Sequence, residues 1–238
     1  MTKDHLPRYA VYFTAEPGSP LARFGAGVIG YDSDTGRDVP HLALDAVPPA
    51  ELVAVTQAPR RYGFHATLVA PFHLANESTE DQLRRAVADF GDVTEAALLG
   101  QLEVSIMSGF IALTPRGDCD AVNRLAARCV TFFDRYRAPL SAHDLARRSN
   151  GELSVRQQRN LDRCGYAYVF DDFRFHMTLT GQLAPDAQQR LQEAISEAFR
   201  PIANLTHYIE SLSLMRQRDP DSRFEVIARE ALSRRVRR

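Results

Sequence analysis

The chain has 238 residues, 45% of them apolar and 25% charged, with a formal net charge of −1. That length and apolar content can fill one large core or two of ordinary size, and the charge balance excludes a global field drawing the molecule to nucleic acid or membrane. Positive charge is almost all arginine, with Lys3 the only lysine, and arginine suits planar, bidentate recognition of phosphate. Cys119, Cys129 and Cys164 are too few and too widely spaced for a disulfide framework or a Cys-x-x-Cys metal site, so free thiols in a reducing compartment are expected. The N-terminal Met-Thr-Lys-Asp-His-Leu-Pro lacks the apolar core of a signal peptide. No apolar run is long enough to span a bilayer, and the expected location is the cytoplasm.

In chain order, Arg8 to Thr14 is rich in aromatic and β-branched residues and predicts a first strand. Prolines and glycines punctuate residues 15–40 as a loop-rich stretch with room for one short helix near Leu21–Ile29. Pro48 and Pro49 open a short helix, Ala50 to Thr56, which Pro59 closes. A strand over Gly63–Leu68 follows. Ser78 with Asp81 predicts a capping box for a helix to Phe90, with Gly91 at its C-terminal cap. Leu102–Ile106 and Phe110–Thr114 predict a hairpin turning at Ser108-Gly109. Asp118 starts a long amphipathic helix that ends before Pro139. Ser141 with Asp144 and Ser154 with Gln157 mark two short helices, the second stopping at Gly165. Phe173–Thr180 predicts another strand, and Pro185 opens a helix ending near Arg200. Tyr208–Met215 and Arg223–Ala228 predict a final hairpin through Asp219-Pro220-Asp221. The arginine-rich tail from Ser233 is expected to be solvated.

Two of these strands echo each other, as Gly-Phe-His-Ala-Thr-Leu at 63–68 and Arg-Phe-His-Met-Thr-Leu at 174–179. Residues two apart on a strand share a face. His65 and Thr67 then point away from Phe64, Ala66 and Leu68, while His176 and Thr178 point away from Phe175, Met177 and Leu179. By the same parity Arg174 shares the face of His176, and Arg61 that of His65 if the strand reaches back so far. Each half of the chain runs motif strand, helix, strand, turn, strand. This predicts an α+β, bilobal fold over 1–238, with a first repeat at about 61–115, a second at about 166–230 and a helical insertion at about 118–164. Each lobe is expected to hold its own antiparallel sheet with outer helices, about a pseudo-two-fold. The motif strands would then meet across a central cleft.

Two facing imidazoles can run acid–base chemistry without a metal, because a ring with an ordinary pKa near 6.5 can accept a proton while the other donates. At a phosphodiester, one of His65 and His176 activates water and the other protonates the leaving oxygen. Thr67 and Thr178 donate to the non-bridging oxygens where charge builds, and Arg174 and Arg61 are candidates to neutralise the phosphate.

At these residues the sequence resembles the two-histidine (2H) phosphoesterase superfamily, whose signature is a pair of His-x-Thr/Ser motifs in a bilobal fold. Within it the chain is similar to a family encoded with the carbon–phosphorus lyase genes of phosphonate breakdown. The matching stretches are Arg8-Tyr-Ala-Val-Tyr-Phe, Ser19-Pro-Leu-Ala-Arg-Phe-Gly, Arg61 through Leu68 with Pro71-Phe, and Gly165-Tyr-Ala-Tyr-Val through Phe173-Arg-Phe-His-Met-Thr-Leu-Thr. The resemblance implies metal-independent hydrolysis of a small cyclic phosphodiester, with phosphoribosyl 1,2-cyclic phosphate a candidate substrate from the operon setting. One departure stands out, since Ala70 precedes Pro71 where a basic residue is expected.

The competing readings are an RNA or nucleoside 2′,3′-cyclic phosphate phosphodiesterase, a non-catalytic phosphometabolite sensor, and a metal hydrolase. The near-neutral charge weighs against a long RNA ligand. His5, His41, His73, His143 and His207 show no metal-ligand spacing. No cofactor or metal is expected, and the partner expected is a small phosphorylated metabolite rather than nucleic acid or membrane.

Overall fold

The structure, a computed structural model, describes residues 6–149 and 151–233, apart from the side chains of His143 and Arg147. The arginine-rich tail beyond Ser233, Lys3 and His5 lie outside the described residues. The elements in order are β1 (Arg8–Phe13), α1 (Pro20–Ile29), β2 (Tyr31–Asp32), β3 (Arg37–Asp38), α2 (Pro49–Arg60), β4 (Ala66–Phe72), α3 (Glu80–Asp92), β5 (Ala97–Gly100) and β6 (Leu102–Met107). They continue with β7 (Phe110–Pro115), α4 (Asp120–Phe133), α5 (Ala142–Arg148), α6 (Val155–Cys164), β8 (Met177–Thr178), α7 (Pro185–Phe199), β9 (His207–Ile209), β10 (Ser211–Gln217) and β11 (Glu225–Ala231). The fold is α+β with antiparallel strand pairs.

Caps account for most helix boundaries. Ser19 accepts from Ala22 N at 3.1 Å with Pro20 in the first turn, and Gly30 at φ +75° ends α1. Ser141 accepts from Asp144 N at 3.0 Å, and Ser154 with Gln157 forms a full capping box closed by Gly165 at φ +70°. Several boundaries differ from the predictions, among them Gly91, which lies inside α3 rather than at its C-terminal cap, the place taken by Val93. The box that opens α3 is Thr79 with Gln82, one residue later than Ser78 with Asp81, because Gln82 reaches back to the Thr79 N–H at 2.8 Å. Pro59 lies inside α2 rather than beyond it. A proline cannot donate to the carbonyl four residues back, and here that carbonyl, Val55 O, accepts from Gly181 N at 2.7 Å. This bond ties α2 to the segment just after the second motif.

One sheet has the order β11-β10-β1-β4 and another β6-β7-β8. Period-two alternation sets the faces of β1. Tyr9, Val11 and Phe13 enter the main core, while Ala10 and Tyr12 join a smaller cluster with Met215 and Phe224. The sheets correct one expectation: the hairpins are exchanged between the motifs. The hairpin β6–β7, which follows the first motif, pairs with the strand of the second through Ala112 and Thr178. The hairpin β10–β11, which follows the second motif, joins the sheet of the first through β1. The strand β1 takes the place beside β4, with Tyr12 opposite Thr67, so neither motif strand pairs within its own repeat. Phe13 and Phe175, with ring centroids 6.1 Å apart, join the two sheets in one core.

The first motif is also held from behind. A Cβ on Gly25 of α1 would meet the Phe64 ring at 2.0 Å, and Phe64 is 6% exposed. Overpacking of this kind costs about 1–3 kcal/mol. We expect Gly25→Ala to lower the melting temperature and to displace His65 along with Phe64; an unchanged melting curve would show that the ring has room to retreat.

Candidate active site

His65 immediately precedes β4, and His176 immediately precedes β8. Both rings are oriented by the same local device. His65 Nδ1 lies 2.9 Å from Gly63 O, and His176 Nδ1 lies 2.8 Å from Arg174 O. A carbonyl only accepts, so each Nδ1 carries the proton and each neutral ring keeps the lone pair of Nε2. Gly63 can supply its carbonyl because it sits at φ +73°, where a Cβ would also meet Ser33 at 2.7 Å. Both histidines, with Thr67 and Thr178, line one cavity of about 590 Å³.

The environment of the two rings differs. Tyr12 stacks on His65 with centroids 3.9 Å apart and 18° between planes, and is itself 1% exposed. Enclosure by this wall disfavours the imidazolium, the positive charge available to His176 adds to the effect, and the His65 pKa falls to about 4 against the support of the Gly63 carbonyl. His176 meets the Phe110 ring at 5.8 Å. Thr67 Oγ1 lies 3.2 Å from His65 Nε2, and Tyr12 stands opposite Thr67 in the sheet, so the three groups share one wall.

The arginines chosen by strand parity are elsewhere. Arg174 donates to the carbonyls of Asp171 and Phe173, its side chain is exposed, and it lines no part of this cavity. Parity failed because the strand is only Met177–Thr178, and Asp171 and Asp172 stand in a 3₁₀ turn. Arg61 donates to Pro220 O at 2.9 Å and caps the end of α2 in helical geometry, where alternation does not apply. Arg8 and Arg148 line the cavity instead, together with Tyr62, Tyr166 and Tyr168. Arg8 was within reach of sequence reasoning, since it shares a face of β1 with Tyr12. Arg148 was not, because only the packing of α5 brings it to the cleft. It donates to Pro71 O and Gly165 O, so the helical insertion forms one wall. Ala70 also lines the cavity, contributing only a methyl group at the position where a basic residue was expected.

The α+β fold thus brings both His-x-Thr motifs to a single cavity. The chain belongs to the DUF1045 family, a family described as proteins of unknown function, whose model matches residues 67–225. It is 35% identical over 228 residues to a protein of Janthinobacterium sp. (strain Marseille) named ribose 1,5-bisphosphate phosphokinase PhnN, covering 94% of this chain and 50% of that one. A protein of the same name from Laribacter hongkongensis (strain HLHK9) is 33% identical over 215 residues, covering 85% and 48%. The chain thus spans about half the length of the curated relatives it matches. Among solved structures, a phosphoesterase matches at 14% identity with TM-score 0.44, covering 96% of this chain and 99% of that one. LigT from E. coli in complex with 3′-AMP matches at 14% identity with TM-score 0.42, covering 95% and 98%. Among the described residues no helix is long and apolar enough to cross a membrane.

Proposed function

We propose that this protein is a cyclic phosphodiesterase in which His65 is the base and His176 the acid, and that its substrate is a small pentose 1,2-cyclic phosphate of phosphonate breakdown. The observation that carries the reading is the pair of imidazoles on one cavity, each with Nδ1–H tied to the carbonyl two residues earlier. His65 Nε2 takes a proton from water as the water oxygen bonds to phosphorus. The bond to one ring oxygen breaks, and His176, entering the step as the imidazolium with both nitrogens protonated, gives its Nε2 proton to that oxygen as it leaves. Water is consumed, a phosphomonoester is formed, and proton exchange with solvent resets both rings. Thr67 and Thr178 donate to the non-bridging oxygens.

The assignment of base and acid follows from the unequal surroundings. In the free protein His65 stays neutral at working pH because its surroundings disfavour charge. An arriving phosphate anion supplies the opposite charge that raises its pKa toward working pH, where a base is most effective. In the free protein, the acid limb that His65 contributes to kcat/KM is expected near pH 4. Tyr12→Leu removes the stacked wall and is expected to move that limb upward toward 6.5, whereas Tyr12→Phe leaves it in place. A limb unmoved in Tyr12→Leu would exclude the stack as the cause.

The same shift predicts a stability effect. Between its unfolded value near 6.5 and its folded value near 4, His65 binds its proton only in the unfolded chain. Stability is therefore full above pH 6.5 and falls by roughly 3 kcal/mol as pH drops through that window. Denaturant unfolding of His65→Gln at pH 7 and pH 4.5 should show a smaller difference than wild type; an equal difference would overturn the coupling.

The substrate choice is supported by the family resemblance and by the relatives' names. Hydrolysis of a 5-phosphoribosyl 1,2-cyclic phosphate at the 2-oxygen leaves ribose 1,5-bisphosphate, the compound in the relatives' kinase name. The present sequence has no Gly-x-x-x-x-Gly-Lys phosphate loop, its sole lysine being Lys3. We therefore assign the kinase of those names to the half this chain does not cover, with the two activities consecutive. Five aromatic rings on the cavity, Tyr12, Tyr62, Phe110, Tyr166 and Tyr168, favour one alternative, a nucleoside 2′,3′-cyclic phosphate stacked by its base. Ranking kcat/KM for ribose 1,2-cyclic phosphates against nucleoside 2′,3′-cyclic phosphates and cyclic-phosphate-ended RNA, in chelator, decides between them. A preference for the nucleosides would replace the pentose reading. Tight binding without turnover across the panel would make the protein a sensor.

A further inference from the structure

We infer that the end of the cavity bounded by Arg8 and Arg148 is a second anion site, which takes a terminal phosphate carried by the same substrate whose cyclic phosphate lies between the histidines. This rests on the cyclic-phosphodiesterase reading and adds to it the residues that would select a cyclic phosphodiester bearing a separate phosphomonoester.

The sheet register places both arginines at one end. The strands β1 and β4 are antiparallel, with Tyr12 opposite Thr67 and Tyr9 opposite Phe72. Moving along β1 from Tyr12 to Arg8 therefore runs parallel to moving along β4 from Thr67 to Pro71. The path from Tyr12 to Arg8 is about 13 Å of strand; the path along β4 is shorter, because register shifts let the five positions from Thr67 to Phe72 span three of β1. Arg8 stands at the far end of the first path. Arg148 donates to the carbonyl of Pro71, at the far end of the second. Tyr12, Thr67 and His65 mark the near end, and all of these residues line the same cavity. An arginine side chain covers part of the remaining span. The gap then suits two anionic groups on opposite sides of one sugar ring.

The guanidinium groups are held in place rather than left to sample solvent. Arg8 Nε donates to Gln217 Oε1 at 2.8 Å, and Gln217 is 1% exposed and donates in turn to Ser222 O at 2.7 Å. Arg8 also lies over the Phe224 ring, with Cζ 5.6 Å from its centroid. Arg148 bridges Pro71 O and Gly165 O, and so spans from β4 to the end of α6. Their charge is felt inside the cavity. Arg8 acts on the Tyr12 phenol and Arg148 on the Tyr166 phenol, in both cases favouring the anion. Planar, oriented guanidinium groups suit the bidentate geometry of a phosphomonoester. The site also accounts for Ala70: its methyl group leaves space at the Pro71 end, and the cation reaches that end from the helical insertion.

The test uses ribofuranose 1,2-cyclic phosphate with and without a 5-phosphate, and the kcat/KM ratio between them. Wild type is expected to favour the 5-phosphorylated compound by about tenfold or more, the size of one charge-assisted hydrogen-bond set. Arg8→Gln and Arg148→Gln should each bring the ratio toward one. Arg148→Lys, which keeps the charge and loses the fork, should fall between. Melting curves identify a variant that fails to fold, and Arg8→Gln keeps the test open if the Arg148 variants unfold. A wild-type ratio near one, or a ratio retained in the folded variants, would overturn the site. If neither compound is hydrolysed, the function reading fails and the site is judged by calorimetry with ribose 5-phosphate. Affinity at least tenfold weaker in Arg8→Gln supports it, and equal affinity overturns it.

Discussion

His65→Ala is expected to lower kcat/KM for a small cyclic phosphodiester by about 10²–10⁴-fold, and His176→Ala by a similar factor. Each ring has one role in a single concerted displacement, so losing either leaves an unassisted proton transfer. The double variant should lose little beyond the worse single one, because groups that act as a unit are strongly non-additive. The two single variants should differ in pH dependence. His65→Ala removes the base and with it the acid limb near pH 4; His176→Ala removes the acid and should spare substrates with a good leaving group. A p-nitrophenyl phosphodiester therefore separates them, with His176→Ala far less damaged on it than on the cyclic substrate. Equal damage on both would reverse or dissolve the assignment. Wild-type rates in either single variant would end the two-histidine mechanism.

Phe175→Ala is expected to destabilise the fold by about 3–5 kcal/mol, the range for removing a buried aromatic side chain. Phe175 is 3% exposed, and its ring meets Phe13 across the junction of the two sheets. Phe13 belongs to the sheet that carries the first motif, and Phe175 precedes His176 by one residue. Losing this contact removes core volume where the two histidines are set relative to each other. In a chain of this length such a loss lowers the melting temperature by roughly 10 °C. The partial filling of Phe175→Leu should recover more than half of it. Phe175→Ala should also lower kcat in the fraction that remains folded. A loss below about 1 kcal/mol would mean the junction re-packs and other contacts align the motifs.

The pattern of success and failure along the chain has one physical origin. Ser141, Ser154 and Gly165 work through bonds or dihedral angles within four residues, so their helix ends were legible. The motif histidines were legible for the same reason, since each is fixed by the carbonyl two residues back. Arg174 was misplaced because strand parity was carried beyond the strand, and Arg61 because it belongs to a helix end. The strands β5 and β9 went unpredicted as a pair. Each is short, and their bond is to each other across more than a hundred positions.

By itself the sequence determined the α+β class, the two His-x-Thr motifs and the side of each that faces the core, because alternation and capping are local consequences of backbone geometry. Only the tertiary structure decided that the hairpins are exchanged between the motifs, that Tyr12 stacks on His65, and that Arg8 and Arg148 line the cavity of the histidines. Those facts depend on which remote segments pair, and a strand edge accepts any partner whose register buries the right face.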